Sequence, residues 1–449
     1  MEFPDTIFKA YDIRGKVGSE LNEDLCRRVG QALGTWLPVA GTVAVGYDMR
    51  PDSKSLAAAL IDGLRTQGRD VMDIGQVTSD MIYFAIGHYD LAGGAVVTAS
   101  HNPGEYNGIK IYRDKVTPVG LDSGLSEIRD LAKENAFHLS STLGDYEQKT
   151  ITKEWVEHAV SIVKPETWPN YHIAVDTGNG MAGAIMPEVL AKIPQLDAKR
   201  LFFELDGTFP NHEANPQKPE TLEDLINIVR ENNFDFGVAF DGDGDRAGFV
   251  DDKGRPVLGT DLISIVAGYV LKLHPGGTIV HDVRTSRATK ELITEWGGTP
   301  VRTKAGRVYI GAKLREIGAV FGGETTGHLF FTENFDADSG LIAALVVIQA
   351  LSESGKKLSE LVDEYRRYIM PPEINFEAAD KDKVFTLLSN QYSSYPQDTL
   401  DGLTVEADTF WFNLRGSNTE PLIRLNVEGS TQDEVDAVIA SVNEAIDAS

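Results

Sequence analysis

Sulfhydryl groups and long apolar runs are scarce in this chain. Cys26 is the only cysteine among 449 residues, which excludes an internal disulfide and a cysteine-based metal site. The longest apolar stretch, residues 341–351, includes one Gln and is too short to span a bilayer. The N-terminus lacks the basic start and apolar core of a signal peptide. We therefore expect a cytoplasmic protein that has no membrane partner.

Positive charge is also in short supply. The chain has 42 Lys and Arg against 68 Asp and Glu, and its formal net charge is -26. Nucleic acids attract basic surfaces, so this balance excludes them as expected partners. An anionic ligand must instead meet a local cluster of cations. No low-complexity tract interrupts the chain, and its length predicts two to four ordered domains.

A threefold repeat of strand, helix and second strand organises most of the chain. In each copy the first strand has an Asp at or near its end, and the second strand runs into a polar loop that contains glycine in its last two copies. The first strands cover residues 42–48, 172–176 and 278–282, the second strands 94–97, 237–240 and 318–321, and the loops 98–103, 241–246 and 322–328. This pattern predicts α/β domains with mixed or parallel sheets, whose ligands lie beyond the carboxyl ends of the strands. The three loops are therefore expected to face one cleft.

The last part of the chain has a different pattern. Residues 365–372 are typical of a linker, and a smaller α+β domain is predicted after it. Its predicted elements are a strand over 409–413, a loop over 414–421, a strand over 422–427 and a final helix from Gln432. The predicted fold class is thus three similar mixed-sheet α/β domains followed by a smaller C-terminal α+β domain. The predicted boundaries are 1–148, 149–254, 255–366 and 367–449.

Ser100 and His101 lie on a predicted tight turn directly after an apolar strand. Loops at strand ends often carry reactive groups, and we interpret Ser100 as the reacting hydroxyl. Neighbouring polar residues on a turn often bond only to the local backbone, which is the plainer alternative. A Ser–His hydrolase is disfavoured because sequence neighbours rarely place the imidazole correctly, and because no Gly-x-Ser-x-Gly motif surrounds Ser100.

Asp241, Asp243 and Asp245 alternate with glycines, so a compact loop can direct three carboxylates at one hard cation. Mg²⁺ is favoured, because few protein ligands leave room for water or phosphate oxygens. A solvent-exposed acidic turn is the alternative. A calcium loop of the EF-hand type is excluded, because Arg246 stands where it needs Gly and Asp252 where it needs Glu.

Two further loops carry groups suited to a phosphorylated sugar. The C-terminal loop combines a guanidinium, backbone N–H groups, hydroxyls and an amide, which is the composition of a phosphate cradle. Its candidate phosphate-binding residues are Arg415, Gly416, Ser417, Asn418, Thr419 and, on the next strand, Arg424. In the third repeat, Glu324, Thr326 and His328 could bind vicinal sugar hydroxyls. Alternatively, Thr325 or Thr326 caps a helix there.

Together these motifs resemble the α-D-phosphohexomutase superfamily, and most closely its phosphomannomutase/phosphoglucomutase branch. The resemblance runs through nearly the whole chain, and it rests on five motifs in the family's order. They are Phe8-Lys-Ala-Tyr-Asp-Ile-Arg-Gly15, Thr98–Pro103, Asp241–Arg246, Gly323–His328 and Arg415–Pro421.

The resemblance implies an enzyme that interconverts hexose 1-phosphate and hexose 6-phosphate, of mannose, glucose or both. Ser100 would be a phosphoserine, and Mg²⁺ would be held by the three aspartates and the seryl phosphate. A hexose 1,6-bisphosphate would be the intermediate and activator, and a monomer or homodimer is expected. The residues expected to serve catalysis are Ser100, His101, Lys110, Arg14 and Arg246, with Lys110 and His101 as alternatives for the proton transfer.

Some positions depart from the family pattern. Relatives carry a Gly-His pair where this chain has Lys304-Ala-Gly306-Arg307, and Gly311 replaces a usual Lys. Arg307 keeps a cation but cannot exchange protons at neutral pH, so these positions put the sugar preference in doubt. Phosphoglucosamine mutase is a second reading, disfavoured by Thr325 and Asn418. A non-catalytic sugar-phosphate sensor is a third reading, supported only by Arg307.

Overall fold

The computed structural model describes residues 3–137, 139–416 and 422–449. The chain divides into two compact units. The first unit comprises Met1–Val257 and Thr326–Ser359, and the second unit comprises Leu258–Thr325 and Glu360–Ser449. Within the described ranges, no helix is both long enough and apolar enough to cross a membrane.

The α-helices of the described residues are α1 (Glu23–Trp36), α2 (Ser53–Thr66), α3 (Ser79–His88), α4 (Leu125–Glu134), α5 (Thr152–Ser161), α6 (Ala182–Lys192), α7 (Glu223–Asn232), α8 (Gly259–Leu273), α9 (Arg287–Glu295), α10 (Arg307–Ile317), α11 (Gly340–Ser354), α12 (Leu358–Tyr365), α13 (Lys381–Gln391) and α14 (Gln432–Asp447).

The strands are β1 (Ile13–Lys16), β2 (Val43–Tyr47), β3 (Val71–Gln76), β4 (Gly93–Val97), β5 (Tyr106–Arg113), β6 (Thr117–Pro118), β7 (Tyr146–Gln148), β8 (Tyr171–Asp176), β9 (Leu196–Leu201), β10 (Phe236–Phe240), β11 (Ala247–Asp251), β12 (Pro256–Val257), β13 (Thr278–Asp282), β14 (Thr299–Thr303), β15 (Phe321–Gly323), β16 (Leu329–Phe331), β17 (Ala337–Asp338), β18 (Ile374–Glu377), β19 (Gln397–Asp398), β20 (Leu403–Glu406), β21 (Phe410–Gly416) and β22 (Leu422–Gly429).

The first unit contains two mixed sheets of the predicted repeat. Their strand orders are β1-β5-β4-β2-β3-β7, with β6 paired to β5, and β12-β11-β10-β8-β9. In each sheet a central strand, β2 or β8, is parallel to both of its neighbours, and the strand beyond β4 or β10 is antiparallel. In the second unit, β13 is likewise parallel to both β14 and β15. The predicted fold class is confirmed.

Burial on both faces explains why some central strands are apolar throughout. All five residues of β4 and of β10 are buried. Val43 and Val45 of β2 belong to the core that helices α1 and α2 cover, while Ala44 between them is also buried. Strands in a sheet that is covered on both faces do not show the usual alternation of apolar and polar residues.

The C-terminal α+β domain has its own core in the second unit. Its sheet has the order β18-β22-β21-β20-β19, and α13 and α14 supply apolar residues such as Val384 and Val438 to the same core. Helix α14 begins at Gln432, as predicted, because Thr431 and Glu434 form a reciprocal cap at its N-terminus.

Two predicted strand boundaries were wrong by three residues. The third-repeat strand starts at Phe321 and not at Gly318, because Gly318 has φ +63° and caps helix α10. The strand predicted to end at Asn413 continues to Gly416, because its pairing with β22 extends through the pair of Gly416 and Ile423. Arg415 and Gly416 therefore lie on a strand and not in the loop.

Candidate active site

Ser100 lies on a strained turn between β4 and β5. Its φ is +52°, a conformation that non-glycine residues rarely adopt. The Thr98 hydroxyl accepts a hydrogen bond from the Ser100 backbone N–H at 2.9 Å, and the Asn102 N–H donates to the Ala99 carbonyl at 3.0 Å. Such strain costs about 1–3 kcal/mol and persists only where surrounding contacts hold it. The turn thus fixes one buried hydroxyl in one position.

The acidic loop connects β10 to the antiparallel strand β11 in the first unit. Asp241, Asp243 and Asp245 are all 0% exposed, and one carboxylate oxygen from each lies within 4.8 Å of the others. Gly244 supplies the φ of +75° that the loop needs to turn. The Ser100 hydroxyl donates to Oδ2 of Asp241 at 3.1 Å. The structure therefore brings the predicted nucleophile and the predicted metal ligands together.

A glycine permits this approach of the two loops. A Cβ atom at Gly242 would lie 2.4 Å from the Ser100 carbonyl oxygen, far inside contact distance. Any larger residue at this position would push the acidic loop away from the serine turn.

Lys110 and Arg246 neutralise part of the acidic charge. The Lys110 ammonium donates to Asp243 and to Asp245, each at 2.6 Å, and Nε of Arg246 donates to Asp241 at 2.9 Å. Burial raises the pKa of Asp241 to about 7, even though Arg246 opposes the shift. Burial acts in the same direction on Asp243, but Lys110 outweighs it and lowers the pKa of Asp243. Three carboxylates and two cations leave a net negative site that suits a cation.

These residues fit a divalent metal ion. Oδ1 of Asp243 is buried and has no hydrogen-bond partner among the described residues. Three converging carboxylates are hard oxygen donors of the kind that Mg²⁺ and similar ions select. The ability of the acidic loop to hold a metal, as predicted, is supported by this geometry.

His101 is placed as an acceptor. Its Nδ1 lies 3.1 Å from the Ser100 hydroxyl and 2.6 Å from Nη2 of Arg246. Burial, Arg246 and Arg14 lower the pKa of His101 to about 2, so the ring is neutral. Sequence neighbours rarely place an imidazole correctly beside a serine, but Nδ1 of His101 does lie within hydrogen-bond distance of the Ser100 hydroxyl. The ring nonetheless makes a poor base, because Nδ1 already accepts from a guanidinium.

Arg14 belongs to β1 and reaches the same serine loop. Its Nη1 donates to the Asn102 side chain at 2.7 Å, and it forms an ion pair with Asp12. Its buried Nε has no acceptor among the residues described. Arg14 therefore retains a donor near the serine loop.

The predicted sugar-binding residues are held by neighbours that the sequence did not reveal. In the second unit, Arg284 donates to Glu324 at 2.8 Å and to Asp282 at 2.7 Å. The N–H and hydroxyl of Thr325 both donate to the same carboxylate of Asp282, at 2.9 and 3.0 Å. The next element along the chain is strand β16, so the alternative of a helix capped by Thr325 or Thr326 was wrong.

His328 lies in the first unit, where its Nδ1 is 2.6 Å from Asp338 and 3.8 Å from Asp245. Thr326 is half-buried at the start of the same segment. The Asp338 contact occupies Nδ1 of His328 and leaves Nε2 to meet a ligand.

Two of the predicted phosphate-binding residues are paired across the C-terminal sheet. Arg415 and Arg424 are opposite each other on β21 and β22. Glu373 accepts from Nη2 of Arg415 at 2.7 Å and lies 3.6 Å from Nη1 of Arg424. The buried Nε of each arginine has no acceptor within the described residues. Gly416 ends β21, whereas Ser417, Asn418 and Thr419 lie outside the described residues.

Two of the positions that depart from the family pattern lie at or just before the start of α10. Lys304 is exposed, with its ammonium 5.8 Å from the Tyr309 ring centre. Arg307 is half-buried and is the first residue of the helix.

Sequence reasoning missed several buried or half-buried partners of the site residues. Their common feature is a polar side chain at or near a strand end or helix start, which was a usable signal, but four of the five bind site residues 40 or more residues away. They are Arg50, Ser79, Arg284, Asp338 and Glu373.

Family models for phosphoglucomutase/phosphomannomutase match the chain in sequence order. The alpha/beta/alpha domains I, II and III match residues 5–139, 153–254 and 259–368, and the C-terminal domain matches residues 373–445. A Xanthomonas campestris protein named "Phosphohexose mutases" is 41% identical over 424 residues, which cover 94% of each chain. The chain belongs to the phosphoglucomutase/phosphomannomutase family.

Other members of the family agree with this assignment. A phosphomannomutase of Escherichia coli K12 is 38% identical over 432 residues, which cover 94% of each chain. A crystal structure of a phosphoglucomutase/phosphomannomutase family protein from Burkholderia thailandensis superposes with a TM-score of 0.89 at 30% identity, covering 99% of this chain and 97% of that one. The predicted resemblance and the predicted enzyme class, phosphohexomutase, are confirmed.

Proposed function

We propose that this phosphohexomutase interconverts the 1- and 6-phosphates of mannose, glucose or both through a phosphorylated Ser100. One observation carries the proposal. The Ser100 hydroxyl lies on a strained turn, 3.1 Å from Asp241, at the edge of three buried aspartates and two buried cations. Phosphoryl transfer through a serine needs a hydroxyl, metal-binding carboxylates and positive charge close together. The first unit supplies all three.

Mg²⁺ is the proposed ion, held by Asp241, Asp243, Asp245 and an oxygen of the seryl phosphate. When bound, it would supply positive charge that offsets the negative charge of the transferring phosphoryl group. Arg246 and Arg14 would add to this neutralisation, which is the largest task in phosphoryl transfer.

In the first half-reaction, the 6-hydroxyl oxygen of a hexose 1-phosphate bonds to phosphorus while the bond between phosphorus and Oγ of Ser100 breaks. The hydroxyl proton leaves to a base, and Oγ ends as a hydroxyl after taking up a proton. The product is a hexose 1,6-bisphosphate. After it turns over, the 1-phosphate returns to Ser100 and a hexose 6-phosphate leaves.

Proton transfer is assigned to Lys110 in preference to His101. The His101 ring is neutral, and its Nδ1 already accepts from Arg246. Lys110 is buried with its ammonium against Asp243 and Asp245, where a proton can be given and regained.

Substrate binding is assigned to Glu324, Thr326 and His328 for the sugar and to Arg415, Gly416, Ser417, Asn418, Thr419 and Arg424 for the phosphate that does not react. The buried Nε atoms of Arg415 and Arg424, which lack acceptors in the described ranges, support a bound anion. Lys304 and Arg307 are proposed to influence which sugar is preferred.

The test is mutase activity with Mg²⁺ and a trace of hexose 1,6-bisphosphate on three substrates: glucose 1-phosphate, mannose 1-phosphate and glucosamine 1-phosphate. We expect turnover of the first two and little of the third. Ser100→Ala should remove turnover while circular dichroism shows an intact fold. Preferred turnover of glucosamine 1-phosphate would contradict the substrate assignment, and no turnover with Ser100 phosphorylated would favour a sensor.

A further inference from the structure

Arg50 is a buried arginine whose side-chain hydrogen bonds go to the backbone of the serine loop and to one carboxylate. It is 3% exposed and lies three residues after the end of β2. Its acceptors are the carbonyl oxygens of Ser100 (2.9 Å), Asn102 (2.6 Å), Pro103 (2.8 Å) and Tyr106 (2.9 Å), together with the Asp48 carboxylate (3.2 Å).

These contacts use the full donor capacity of the side chain. A guanidinium has five N–H donors, and each has an acceptor here. No donor remains for a substrate phosphate, so Arg50 cannot act by binding the reacting group. Its effect must pass through the four carbonyls of residues 100–106.

The contacts bear on the conformation of the reacting residue. Ser100 has a φ of +52°, which an L-residue keeps only when its surroundings impose it. Its carbonyl accepts from Arg50, while its hydroxyl donates to Asp241 at 3.1 Å. The guanidinium thus holds one side of the residue while the other side faces the acidic loop.

Arg50 is itself fixed from several directions. The Asp48 carboxylate accepts from the Arg50 N–H at 3.0 Å and from the Ser53 hydroxyl at 2.5 Å. The Phe209 ring centre lies 5.2 Å from the guanidinium carbon, and a Cβ at Gly207 would come within 2.4 Å of the Arg50 Cα. Contacts on several sides therefore hold the Arg50 side chain in place.

We propose that Arg50 is a positioning residue for phosphoryl transfer, whose guanidinium fixes the backbone of residues 100–106 and so keeps the Ser100 hydroxyl beside the Asp241 carboxylate. The inference rests on the proposed role of Ser100. It assigns to Arg50 a role in the reaction rate and not in substrate affinity.

Lysine cannot replace this function. An ammonium has three donors on one nitrogen and cannot reach four carbonyls that surround a planar fork. A serine turn that loses these contacts can relax toward ordinary backbone angles. A displacement of about 1 Å of a reacting atom can cost about 100-fold in rate.

The test compares Arg50→Lys with a matched control in the same domain. Arg69 also donates to three backbone carbonyls, those of Gly34, Leu37 and Val39, at 2.6–2.8 Å. None of these Arg69 contacts is to the serine loop. Arg69→Lys therefore measures the effect of losing guanidinium hydrogen bonds to backbone carbonyls away from Ser100. Both variants are assayed with glucose 1-phosphate and mannose 1-phosphate at a temperature where circular dichroism shows them folded.

We expect Arg50→Lys to lower kcat by about 100-fold with little change in KM, and to slow phosphorylation of Ser100 by hexose 1,6-bisphosphate to the same degree. Arg69→Lys should lower the melting temperature and leave kcat unchanged. As a second variant, Arg50→Ala should regain part of its kcat when guanidinium ion is added at millimolar concentration.

Two results would overturn the inference. Suppose that the wild-type enzyme is active. The inference about Arg50 alone is then contradicted if Arg50→Lys keeps kcat within about twofold of wild type, or if it loses no more kcat than Arg69→Lys does. A wild-type protein that neither turns over nor accepts phosphate on Ser100 would contradict the proposed function, and the inference with it.

Discussion

At the scale of single residues, His101 and Lys110 differ in what their surroundings allow. His101 accepts from Arg246, and its pKa falls to about 2. The Lys110 ammonium instead donates to the carboxylates of Asp243 and Asp245 and lies 3.4 Å from the Ser79 hydroxyl. The difference assigns the moving proton to Lys110.

We predict that Lys110→Met lowers kcat by about 100-fold or more, because the proton donor and the counter-ion of Asp243 are both lost. His101→Gln should cost less, since an amide oxygen can accept from Arg246 in place of the imidazole. Steady-state kinetics of both variants measures this. Lys133→Met, which breaks an exposed pair with Asp5 (2.6 Å), is the control and should keep full activity. Equal losses in the Lys110 and His101 variants would contradict the assignment.

Another residue-scale prediction concerns His212, whose ring nitrogens face Asp176 at 3.1 Å and the Glu213 carbonyl at 2.8 Å. Burial lowers the pKa of His212, but these acceptors outweigh it and raise that pKa above the usual value. The group therefore adds stability below about pH 6.5, and this contribution disappears as pH rises through the raised pKa.

The measurement is the free energy of unfolding of wild type and His212→Gln in urea, at about pH 6 and about pH 9 with EDTA present. The variant should be less stable at the lower pH, and the difference should shrink at the higher pH. His172 and Asp197 form an exposed pair at 3.0 Å, so His172→Gln is the control and should change stability little. A constant deficit at both pH values would show that His212 acts by packing alone.

At the scale of elements, the site depends on how closely two loops approach. Both follow the second strand of their repeat, β4 or β10, and each of these strands is parallel to the first strand of its repeat, β2 or β8. The loops meet where Gly242 contacts the backbone of Ser100. Adding one methyl group at Gly242 should therefore change the reaction rate.

We predict that Gly242→Ala lowers kcat by about 100-fold, because its Cβ would lie 2.4 Å from the Ser100 carbonyl and push the loops apart. Gly276→Ala is the control. Gly276 has φ +79° with no atom within 4 Å of an added Cβ, so alanine there should lower the melting temperature and leave kcat intact. Kinetics and thermal melts of both variants measure this. An undiminished kcat in Gly242→Ala would show that the close approach of the two loops is not required for the reaction.

The elements also show how much of the fold and of the candidate site could be predicted from the sequence. Apolar runs ending in polar loops placed Ser100 and Asp241 correctly on loops after strands, because sheet burial is a local and regular signal. The start of β15 was missed because Gly318 serves a helix end, and glycine suits either use. Arg50 was missed because its acceptors are 50 to 56 residues away, and no local pattern encodes a contact of that range.

At the scale of the whole molecule, the balance of charge matters most. The chain carries a net charge of -26, and three of its carboxylates are buried together in the acidic loop. Like charges at such distances repel, and a bound divalent cation relieves that repulsion. Metal binding should therefore stabilise the fold as well as support turnover.

We predict that EDTA stops mutase activity and that Mg²⁺ restores it. Mg²⁺ at about 100 times its Kd should add about 3 kcal/mol to the free energy of unfolding, measured by thermal melts with and without the ion. Asp243→Asn should lose most of this stabilisation, because one of three carboxylate ligands becomes a neutral amide. Chelator-insensitive turnover, or an equal shift in the variant, would contradict the metal assignment.

The most direct test of the account is a single-turnover experiment on the phosphorylated protein. Protein carrying a radiolabelled phosphoryl group on Ser100 is mixed with unlabelled hexose 1-phosphate and Mg²⁺, and the label is followed by rapid quench. The account predicts that label leaves Ser100 at the rate of turnover or faster and appears first in hexose 1,6-bisphosphate. Label that remains on Ser100 while hexose 6-phosphate accumulates would contradict it.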